Sequence, residues 1–433
     1  MIKIAELPAL DNLRVAIIGL GYVGLPLAVE FGKQRPTIGF DLDVSRVAEL
    51  RTQQDSTGEV DAADMFEANH LHYTSDLTEI ADCNVYIVAV PTPIDQHRQP
   101  NLEPLLSASR SIASVIKRGN IVIFESTVYP GATEEDCLPL VVQGSGLDLN
   151  VDFFAGYSPE RINPGDKERP LRKIVKVTSG STPEAADLID ALYSTIIIAG
   201  TFKAASIRVA EASKIIENTQ RDVSIALINE LSIIFSRLGI DTSAVLDAAA
   251  TKWNFNRLSP GLVGGHCIGV DPYYLVHKSI DAGHIPDIIR MAREINDGMA
   301  RHAATLLVKK MIQKKAKVNG GRVLLLGLTF KQNCADIRNT KVIDMQQELV
   351  SYGLNIDMYD PCADPYEVRS VFGGEMLPLM PEPLADYDAV ILAVPHNFLV
   401  EIGPNGLKAY LSNVGVFFDM KSVFEQVESH LRL

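Results

Sequence analysis

The sequence predicts an α/β protein in which two doubly wound parallel sheets are joined by a long central helix. Two segments at opposite ends of the chain have the same order: an apolar strand, a glycine turn, a helix and a second strand ending in an acid. The strands are 13–18 and 36–41 in the first segment, and 322–326 and 355–360 in the second. Apolar strands that alternate with helical stretches indicate buried parallel sheets with right-handed crossovers. Each segment is therefore expected to form a Rossmann-like domain.

A third apolar strand, led by an acid, follows each segment. These strands are 82–90 and 386–394, and both run into the same Ala-Val-Pro sequence. Between the two segments, residues 206–238 contain neither Gly nor Pro and predict one long helix that ends at Gly239. Its apolar residues cover more than one side, so we expect it to form a spine and part of a homodimer interface.

Length and composition set the class of protein. A chain of 433 residues is too long for one ordinary core, and the predicted domains are a dinucleotide-binding domain (1–200), a central helical domain (201–300) and a second Rossmann-like domain (301–433). The net charge of −14 argues against nucleic acid or a membrane surface as a partner, because both need a basic face. The first residues lack a secretory signal and a membrane-spanning run, which predicts a cytoplasmic protein.

The five cysteines are scattered and contain no CxxC pair. This pattern is typical of reduced thiols and favours neither a disulfide framework nor a metal site. We therefore expect no metal, and a catalytic role for a cysteine must follow from its surroundings.

A dinucleotide fingerprint directly follows the first strand. In Gly-Leu-Gly-Tyr-Val-Gly, Gly19 allows the tight turn, Gly21 lets the backbone approach a pyrophosphate and Gly24 permits close helix–strand packing. Asp41, at the end of the next strand, can bind both ribose hydroxyls and repel a 2′-phosphate, which favours NAD over NADP. The cofactor-binding residues predicted in this turn are Gly19, Gly21, Tyr22, Val23 and Gly24.

Further cofactor contacts are expected around this turn. Arg46 either reaches the adenosine part of the cofactor or is a solvated helix residue, and the sequence leaves both readings open. Two proline-containing turns, 90–93 and 126–131, follow apolar strands. Ligands of doubly wound sheets bind at the carboxyl ends of strands, so Pro91, Thr92 and Thr127 are predicted to face the cofactor.

The segment 260–275, Pro-Gly-Leu-Val-Gly-Gly-His-Cys-Ile-Gly-Val-Asp-Pro-Tyr-Tyr-Leu, contains the candidate nucleophile Cys267. Four glycines surround it, and we expect them to remove side chains so that a bulky ligand can approach the sulfur. A thiol beside a dinucleotide site can add to an aldehyde formed by a first oxidation, and a second oxidation then gives a thioester that water hydrolyses. Such a reaction also needs a base, an oxyanion stabiliser and a positioned water.

Polar residues elsewhere in the chain can supply these groups. Lys214 and Asn218 are four residues apart on one face of the central helix, where they could stabilise an oxyanion. Glu160 follows another apolar strand and could hold or activate water. The alternative for Lys214 is an ordinary ion pair with Glu211 or Glu217.

The sequence resembles the UDP-glucose/GDP-mannose dehydrogenase superfamily over essentially its full length. The motifs carrying the resemblance are, in order, GLGYVGLPLA (19–28), VPTP (90–93), ESTVYPGAT (125–133), SPERINPGD (158–166), AEASKIIEN (210–218), PGLVGGHCIGVDPYYL (260–275) and GLTFKQNCADIRNT (327–340). The resemblance implies a four-electron, NAD-dependent oxidation of the C6 hydroxyl of a UDP-sugar. It also implies a C-terminal UDP-sugar-binding domain and a dimer built on the central helix.

The resemblance further assigns roles residue by residue. Cys267 is similar to the thioester nucleophile, and Lys214 and Asn218 to its oxyanion partners. Asp271, Glu160 and Thr127 are similar to the residues that manage water and proton transfer. The remaining contacts expected from the match are Arg338 with the cofactor, and Arg161, Arg257, Gly264 and Lys331 with the substrate.

One departure from the family pattern concerns the sugar. The glucose-oxidising branch usually has a lysine immediately before the aspartate that follows the cysteine, and this chain has Val270 there. The variant, together with TKWNF at 251–255, resembles the branch that acts on UDP-N-acetylhexosamines (UDP-GlcNAc or UDP-GalNAc) in capsule, Vi-type and O-antigen polysaccharide synthesis. Three alternatives stay open from the sequence: a UDP-glucose 6-dehydrogenase, a two-electron hydroxyacid dehydrogenase, and a catalytically silent nucleotide-sugar sensor.

Overall fold

The computed structural model describes residues 3–95, 97–162, 168–265 and 268–433. The chain divides into two compact units. The first comprises residues 1–217 with 273–284, and the second comprises residues 218–272 with 285–433.

The first unit contains a six-stranded sheet whose strand order is 3-2-1-4-5-6, and every pairing is parallel. This is the order of a doubly wound dinucleotide-binding fold. The sheet strands are β1 (Val15–Ile18), β2 (Thr37–Phe40), β3 (Leu71–Thr74), β4 (Val85–Val88), β5 (Ile121–Phe124) and β6 (Phe154–Tyr157). The helices around it are α1 (Gly24–Gly32), α2 (Val44–Arg51), α3 (Ala62–Glu67), α4 (Glu103–Ala113), α5 (Leu138–Ser145) and α6 (Pro183–Ser194).

Continuous apolar runs explain why these strands are central. All residues of β1, β4 and β5 are buried, as expected of strands that are covered on both faces. A small parallel pair, β7 (Lys176–Thr178) and β8 (Thr201–Lys203), lies beside the main sheet, and a bridge between Gly156 and Gly180 caps the free edge of β6.

Four helices occupy the middle of the chain. They are α7 (Ile207–Leu238), α8 (Thr242–Ala250), α9 (Asp271–Asp281) and α10 (Asp287–Lys314). The predicted long helix is confirmed as α7, and Gly239, which follows it, has a φ of +71° that suits glycine at a helix end. Within the single chain one side of α7 stays uncovered, since Leu227, Ile234 and Leu238 are exposed.

The second unit has a five-stranded, all-parallel sheet. Its strands, in spatial order, are β10 (Asn355–Tyr359), β9 (Arg322–Leu326), β11 (Tyr387–Leu392), β12 (Leu411–Asp419) and β13 (Leu431–Arg432). Its remaining helices are α11 (Val342–Ser351), α12 (Pro365–Phe372), α13 (Asn397–Glu401) and α14 (Gly403–Lys408). Separate apolar cores cover the two faces of the sheet, and a bridge between Met358 and Met376 lies on the outer edge of β10.

The two Rossmann-like sheets predicted from the sequence are therefore confirmed. Predicted strands end within three residues of the observed ones, and 322–326 coincides with β9. Among the described residues, no helix is both long and apolar enough to cross a membrane.

Candidate active site

The glycine turn between β1 and α1 has the geometry that its sequence predicts. Gly19 has a φ of +91°, and a Cβ added at Gly24 would lie 1.8 Å from the Gly19 carbonyl oxygen. A Cβ added at Gly21 would meet nothing within 4 Å, so the space above this residue is open. The first turn of α1 contains no acidic residue, which leaves the positive end of the helix available to an anion. The turn therefore fits a dinucleotide pyrophosphate, with Tyr22 and Val23 leading into the helix.

Asp41 lies at the carboxyl end of β2 and is held against this turn. Its Oδ2 accepts the Leu20 N–H at 2.7 Å, and its Oδ1 accepts the Asp43 N–H at 2.9 Å. The carboxylate is partly exposed, and its remaining lone pairs suit the ribose hydroxyls that the sequence assigns to it.

Arg46 is not a solvated helix residue, because only 10% of its side chain is exposed. Its Nε donates to the Leu20 carbonyl at 3.0 Å, and its guanidinium pairs with Asp55 at 2.7 Å. Arg46 thus stabilises the glycine turn through its hydrogen bond to the Leu20 carbonyl. No motif marks Asp55, which lies in a polar loop, so its role could not be predicted.

The two proline-containing turns are tied to each other. Thr92 Oγ1 donates to the Thr127 carbonyl at 2.7 Å, and Ser126 Oγ donates to the Val90 carbonyl at 2.6 Å. Tyr274 adds a third tie, because its hydroxyl donates to the Thr92 carbonyl at 2.9 Å. Strands β4 and β5, which precede these turns, are neighbours, so Pro91, Thr92 and Thr127 lie at one edge of the sheet, as predicted.

Lys214 and Glu160 form a buried pair in the first unit. The Lys214 Nζ lies 3.6 Å from Glu160 Oε2, and both residues are at most 4% exposed. The other Glu160 oxygen accepts the Ile162 N–H. The two carboxylates that the sequence offered as ordinary partners of Lys214 have other contacts: Glu211 accepts the Gly131 and Thr133 N–H groups, and Glu217 pairs with Arg161 at 2.8 Å.

Asn218 and Asp271 form the corresponding contact in the second unit. The Asn218 Nδ2 donates to Asp271 Oδ2 at 2.6 Å. Asp271 is 2% exposed and begins α9. The Asp271 carboxylate thereby fixes the orientation of the Asn218 amide.

Cys267 and its neighbour His266 lie outside the described residues, and the loop can be followed on either side of them. The side chain of Asn229 donates to the Gly261 carbonyl at 3.1 Å and accepts its N–H at 2.8 Å. Asn229 is fully buried, so this double hydrogen bond fixes the start of the loop. This contact could not be predicted, since nothing in the sequence marks an asparagine inside a helix as the anchor of a loop.

Protein atoms lie close to three of the four loop glycines, at the place where a side chain would begin. A Cβ at Gly261 would lie 2.1 Å from Lys421 Nζ, one at Gly264 would lie 2.4 Å from the Asn339 carbonyl oxygen, and one at Gly265 would lie 2.8 Å from the Phe330 ring. A side chain at Gly264 would meet the backbone, and one at Gly261 or Gly265 would meet the side chain of Lys421 or Phe330, so packing within the unit is a second reason for glycine at these positions. Only Gly269 meets no atom closer than 3.7 Å.

Three further cations assigned from the sequence lie in the second unit. Arg257 pairs with Asp247 at 2.6 Å, Arg338 pairs with Asp336 at 2.9 Å, and Lys331 is partly buried. The 65% exposure of the Arg338 side chain leaves it accessible to a ligand.

Lys421 is a cation that the sequence analysis missed. It lies just after β12, with its Nζ beside Gly261, and burial lowers the pKa of its ammonium group. The residue as a whole is partly buried, and an ammonium group whose charge burial disfavours would gain from pairing with an anionic ligand. As a single lysine in a polar stretch it had no motif, and only its position after the apolar strand β12 could have suggested it.

A third cluster, Asp360, Cys362 and His396, has donor atoms within 4.8 Å of one another and the residue types of a metal site. Hydrogen bonds inside the unit account for it. Asp360 Oδ2 accepts the Leu328 N–H at 2.6 Å and lies 3.0 Å from His396 Nε2, and Asp360 Oδ1 accepts the Cys362 N–H at 2.7 Å. We therefore interpret the cluster as a structural network at the edge of the second sheet.

Comparison with known proteins agrees with this geometry. Residues 13–197, 208–298 and 324–426 match the NAD binding, central and UDP binding domains of the UDP-glucose/GDP-mannose dehydrogenase family. A UDP-N-acetyl-D-glucosamine 6-dehydrogenase from Pseudomonas aeruginosa is 56% identical over 98% of this chain and 100% of its own length. The chain belongs to the UDP-glucose/GDP-mannose dehydrogenase family. It is an NAD-dependent nucleotide-sugar dehydrogenase, and the hydroxyacid-dehydrogenase and sensor alternatives are set aside.

Two other family members extend the match. A UDP-N-acetyl-D-glucosamine 6-dehydrogenase from Salmonella typhi is 51% identical over 98% of this chain and 99% of its own length. The solved structure of a UDP-D-ManNAc dehydrogenase from Pyrococcus horikoshii superposes with a TM-score of 0.88, at 28% identity, over 97% of this chain and 98% of that one. The expected fold class is thereby confirmed for the whole length.

Proposed function

We propose that this dehydrogenase oxidises the C6 hydroxyl of a UDP-N-acetylhexosamine, UDP-GlcNAc first among them, to the uronic acid. The observation that carries the proposal is the 56% identity to the P. aeruginosa enzyme, which extends over essentially both full lengths. The product, a UDP-linked N-acetylhexosaminuronate, is the activated donor needed by glycosyltransferases that build acidic surface polysaccharides.

NAD accepts one hydride in each of the two oxidations. The residues that fit it are the glycine turn at 19–24, Asp41 and the turns that contain Thr92 and Thr127. Arg46 acts through the turn that it supports.

The remaining chemistry is carried out by residues of this chain, in two oxidations and one hydrolysis. In the first oxidation the C6 hydroxyl loses a proton and a hydride and becomes an aldehyde. The Cys267 thiolate then forms a bond to C6, and loss of a second hydride leaves a thioester. Water adds to that carbonyl, the C–S bond breaks, and the carboxylate and free thiol are released. The balance is one alcohol, two NAD⁺ and one water to one carboxylate, two NADH and three protons.

Lys214 and Asn218 are assigned to the C6 oxygen while it carries negative charge. The buried Lys214 ammonium supplies charge, and Asn218 supplies an amide whose orientation Asp271 fixes. Glu160 and Thr127 are assigned to the water and its proton. Lys331, Lys421 and Arg257 are assigned, with Arg161 and Gly264, to the UDP-sugar.

The N-acetyl group of the substrate has its own test. Val270 is 6% exposed, so the position that carries a lysine in the glucose branch is here part of the apolar interior. A pocket that pairs the acetamido group rejects a sugar that lacks it, because buried polar partners are then left unsatisfied. Initial rates with UDP-GlcNAc, UDP-GalNAc and UDP-glucose, with products identified by mass, measure this. Equal kcat/KM for UDP-glucose and the acetamido sugars would contradict the assignment to this branch.

The covalent step is tested by Cys267→Ala. We expect no uronate from this variant, and an NADH dissociation constant within about twofold of the wild type, since the cofactor is held by the first unit. Sustained production of uronate by Cys267→Ala would contradict the thioester mechanism.

We also infer a homodimer through α7. Leu227, Ile234 and Leu238 are 56%, 43% and 65% exposed and are spaced by seven and four residues, which places them on one side of the helix. A second copy of the same helix would cover this apolar stripe. Light scattering of Leu227→Glu should give a monomer and that of the wild type a dimer; a wild-type monomer would exclude this interface.

A further inference from the structure

The two turns that carry Thr127 and Glu160 follow neighbouring strands. Strand β5 leads into Glu125-Ser126-Thr127, and β6, which pairs with β5 in parallel, leads into Ser158-Pro159-Glu160. The position of Glu160 relative to Thr127 therefore depends on the contacts between these two turns as well as on the pairing of their strands.

A buried ion pair lies under the two turns. The Lys176 Nζ is 2.5 Å from Glu125 Oε2, and the residues are 3% and 0% exposed. The Tyr193 hydroxyl donates to the other Glu125 oxygen at 2.5 Å, and the Lys176 ammonium lies 5.3 Å from the centroid of the Tyr193 ring. We call these three residues the strut.

The strut joins the side chain of one turn to the backbone of the other. Besides Glu125, the Lys176 Nζ donates to the Pro159 carbonyl at 3.0 Å. The Glu160 N–H in turn donates to the Glu125 carbonyl at 3.4 Å. Glu160 is thus held on both sides of its peptide, and its carboxylate lies 3.6 Å from the Lys214 Nζ.

Stability alone is a poor reason for such a pair. Moving two charges from water into the interior costs several kcal/mol for each ion, and replacing a buried pair by apolar residues is often neutral or stabilising. The pair does, however, give a fixed direction to the Pro159 carbonyl, which an apolar replacement could not supply.

We propose that Glu125 and Lys176 are positioning residues for hydrolysis of the thioester: they set the place of Glu160, which orders the attacking water. This inference rests on the proposed function, because it assumes that Glu160 acts on water. It assigns the strut to the last step of the reaction, after both hydrides have been transferred.

The experiment compares Glu125→Gln/Lys176→Met with the wild type. The double change removes both charges together, so no unpaired charge stays buried. In a stopped-flow experiment we expect close to two NADH per site in the first turnover, followed by a steady rate lower by on the order of a hundredfold. Intact mass should show the uronyl group bound at Cys267. Glu160→Gln should behave alike, and adding the strut changes to it should slow the steady rate no further.

Lys33→Met is the matched control, because Lys33 is another little-exposed cation of the first unit and pairs with Glu30 and Asp64. It should lower the thermal midpoint without changing the ratio of burst to steady rate. Any of three results would overturn the proposal. The burst and the steady rate of the strut variant could fall in the same proportion, or its steady rate could equal that of the wild type. The loss of rate could also add to the loss caused by Glu160→Gln. A wild type that forms one NADH per sugar would instead overturn the proposed function.

Discussion

Asp41 in the first unit and Asp360 in the second follow equivalent strands, and both accept N–H groups from the glycine turn of the neighbouring strand. Their surroundings differ. Asp41 is partly exposed below an open turn, whereas Asp360 is 3% exposed and makes contacts to His396 and to the backbone of Leu328, Cys362 and Ala363. The equivalent acid is therefore accessible in one unit and buried in a hydrogen-bond network in the other.

The turns themselves differ in how they can hold phosphate. In the first unit α1 begins at Gly24, directly after the turn, and presents backbone N–H groups. In the second unit α11 begins only at Val342, its first turn contains Asp344, and the intervening loop carries Lys331 and Arg338. A helix end and side-chain cations are two ways to hold a diphosphate, and the first unit offers the helix end whereas the second offers the cations.

The largest effect should come from Gly24→Ala, because the new Cβ would lie 1.8 Å from a backbone carbonyl oxygen that cannot move away. We expect a loss of stability above about 4 kcal/mol and no soluble NAD-binding enzyme. Gly327→Ala tests the same point in the second unit, where a φ of +85° and the Val394 carbonyl at 2.4 Å oppose a side chain. Thermal unfolding measures both. A Gly24→Ala protein as stable as the wild type would show that the turn relaxes easily.

Asp360→Asn should be next, at about 3 kcal/mol, because an amide cannot accept all the N–H groups that the carboxylate accepts. Burial opposes ionisation of Asp360, but the hydrogen bond to His396, the His396 charge and the backbone N–H groups hold its pKa below the ordinary value. Because the pKa of Asp360 is lower in the folded protein than in the unfolded chain, its ionised form stabilises the fold at pH values above the ordinary pKa. This stabilisation is lost as the pH falls through the pKa of the folded state.

The thermal midpoints of the wild type and Asp360→Asn should therefore differ most near pH 7 and converge below the ordinary aspartate range. A difference that grows on acidification would have the wrong sign. Asp41→Asn, measured in parallel, should change the midpoint far less.

Gly21→Ala should separate binding from stability. The added Cβ meets no protein atom, so the thermal midpoint should stay within about 1 °C of the wild type. The NAD dissociation constant should rise on the order of tenfold, or about 1.4 kcal/mol. Thr329→Ala, at the equivalent place in the second unit, should leave NAD affinity unchanged. Unaltered NAD binding by Gly21→Ala would place the pyrophosphate elsewhere.

The smallest effect concerns Asp41→Ser. Removing the carboxylate, best combined with a nearby Arg, should shift the ratio of kcat/KM for NAD over NADP by about fivefold towards NADP, or about 1 kcal/mol. Asp360→Asn should leave the ratio of kcat/KM for NAD over NADP unchanged. Equal use of both cofactors by the wild type would remove the ribose role of Asp41.

Local patterns were enough to predict much of this molecule. The glycine turn, the two sheets and α7 follow from apolar runs, Gly spacing and the absence of Gly and Pro. Strand ends were less certain: 82–90 shortens to Val85–Val88 because its first residues are polar and its last ones enter the proline turn. The contacts of Lys176 with Glu125 and of Asn229 with Gly261 could not be predicted, since they join segments 51 and 32 residues apart by single side chains.

The edges of the two sheets bear on how the chain avoids aggregation. An uncovered strand presents unpaired N–H and C=O groups that a neighbouring molecule can extend into a larger sheet. Here β6 is capped by Gly180, β10 is bridged by Met376, and β13 offers only two residues. Among the described residues, the remaining outer strand, β3, is four residues long and carries the exposed His72. Three of these four outer strands therefore offer little free backbone for pairing with a neighbouring molecule.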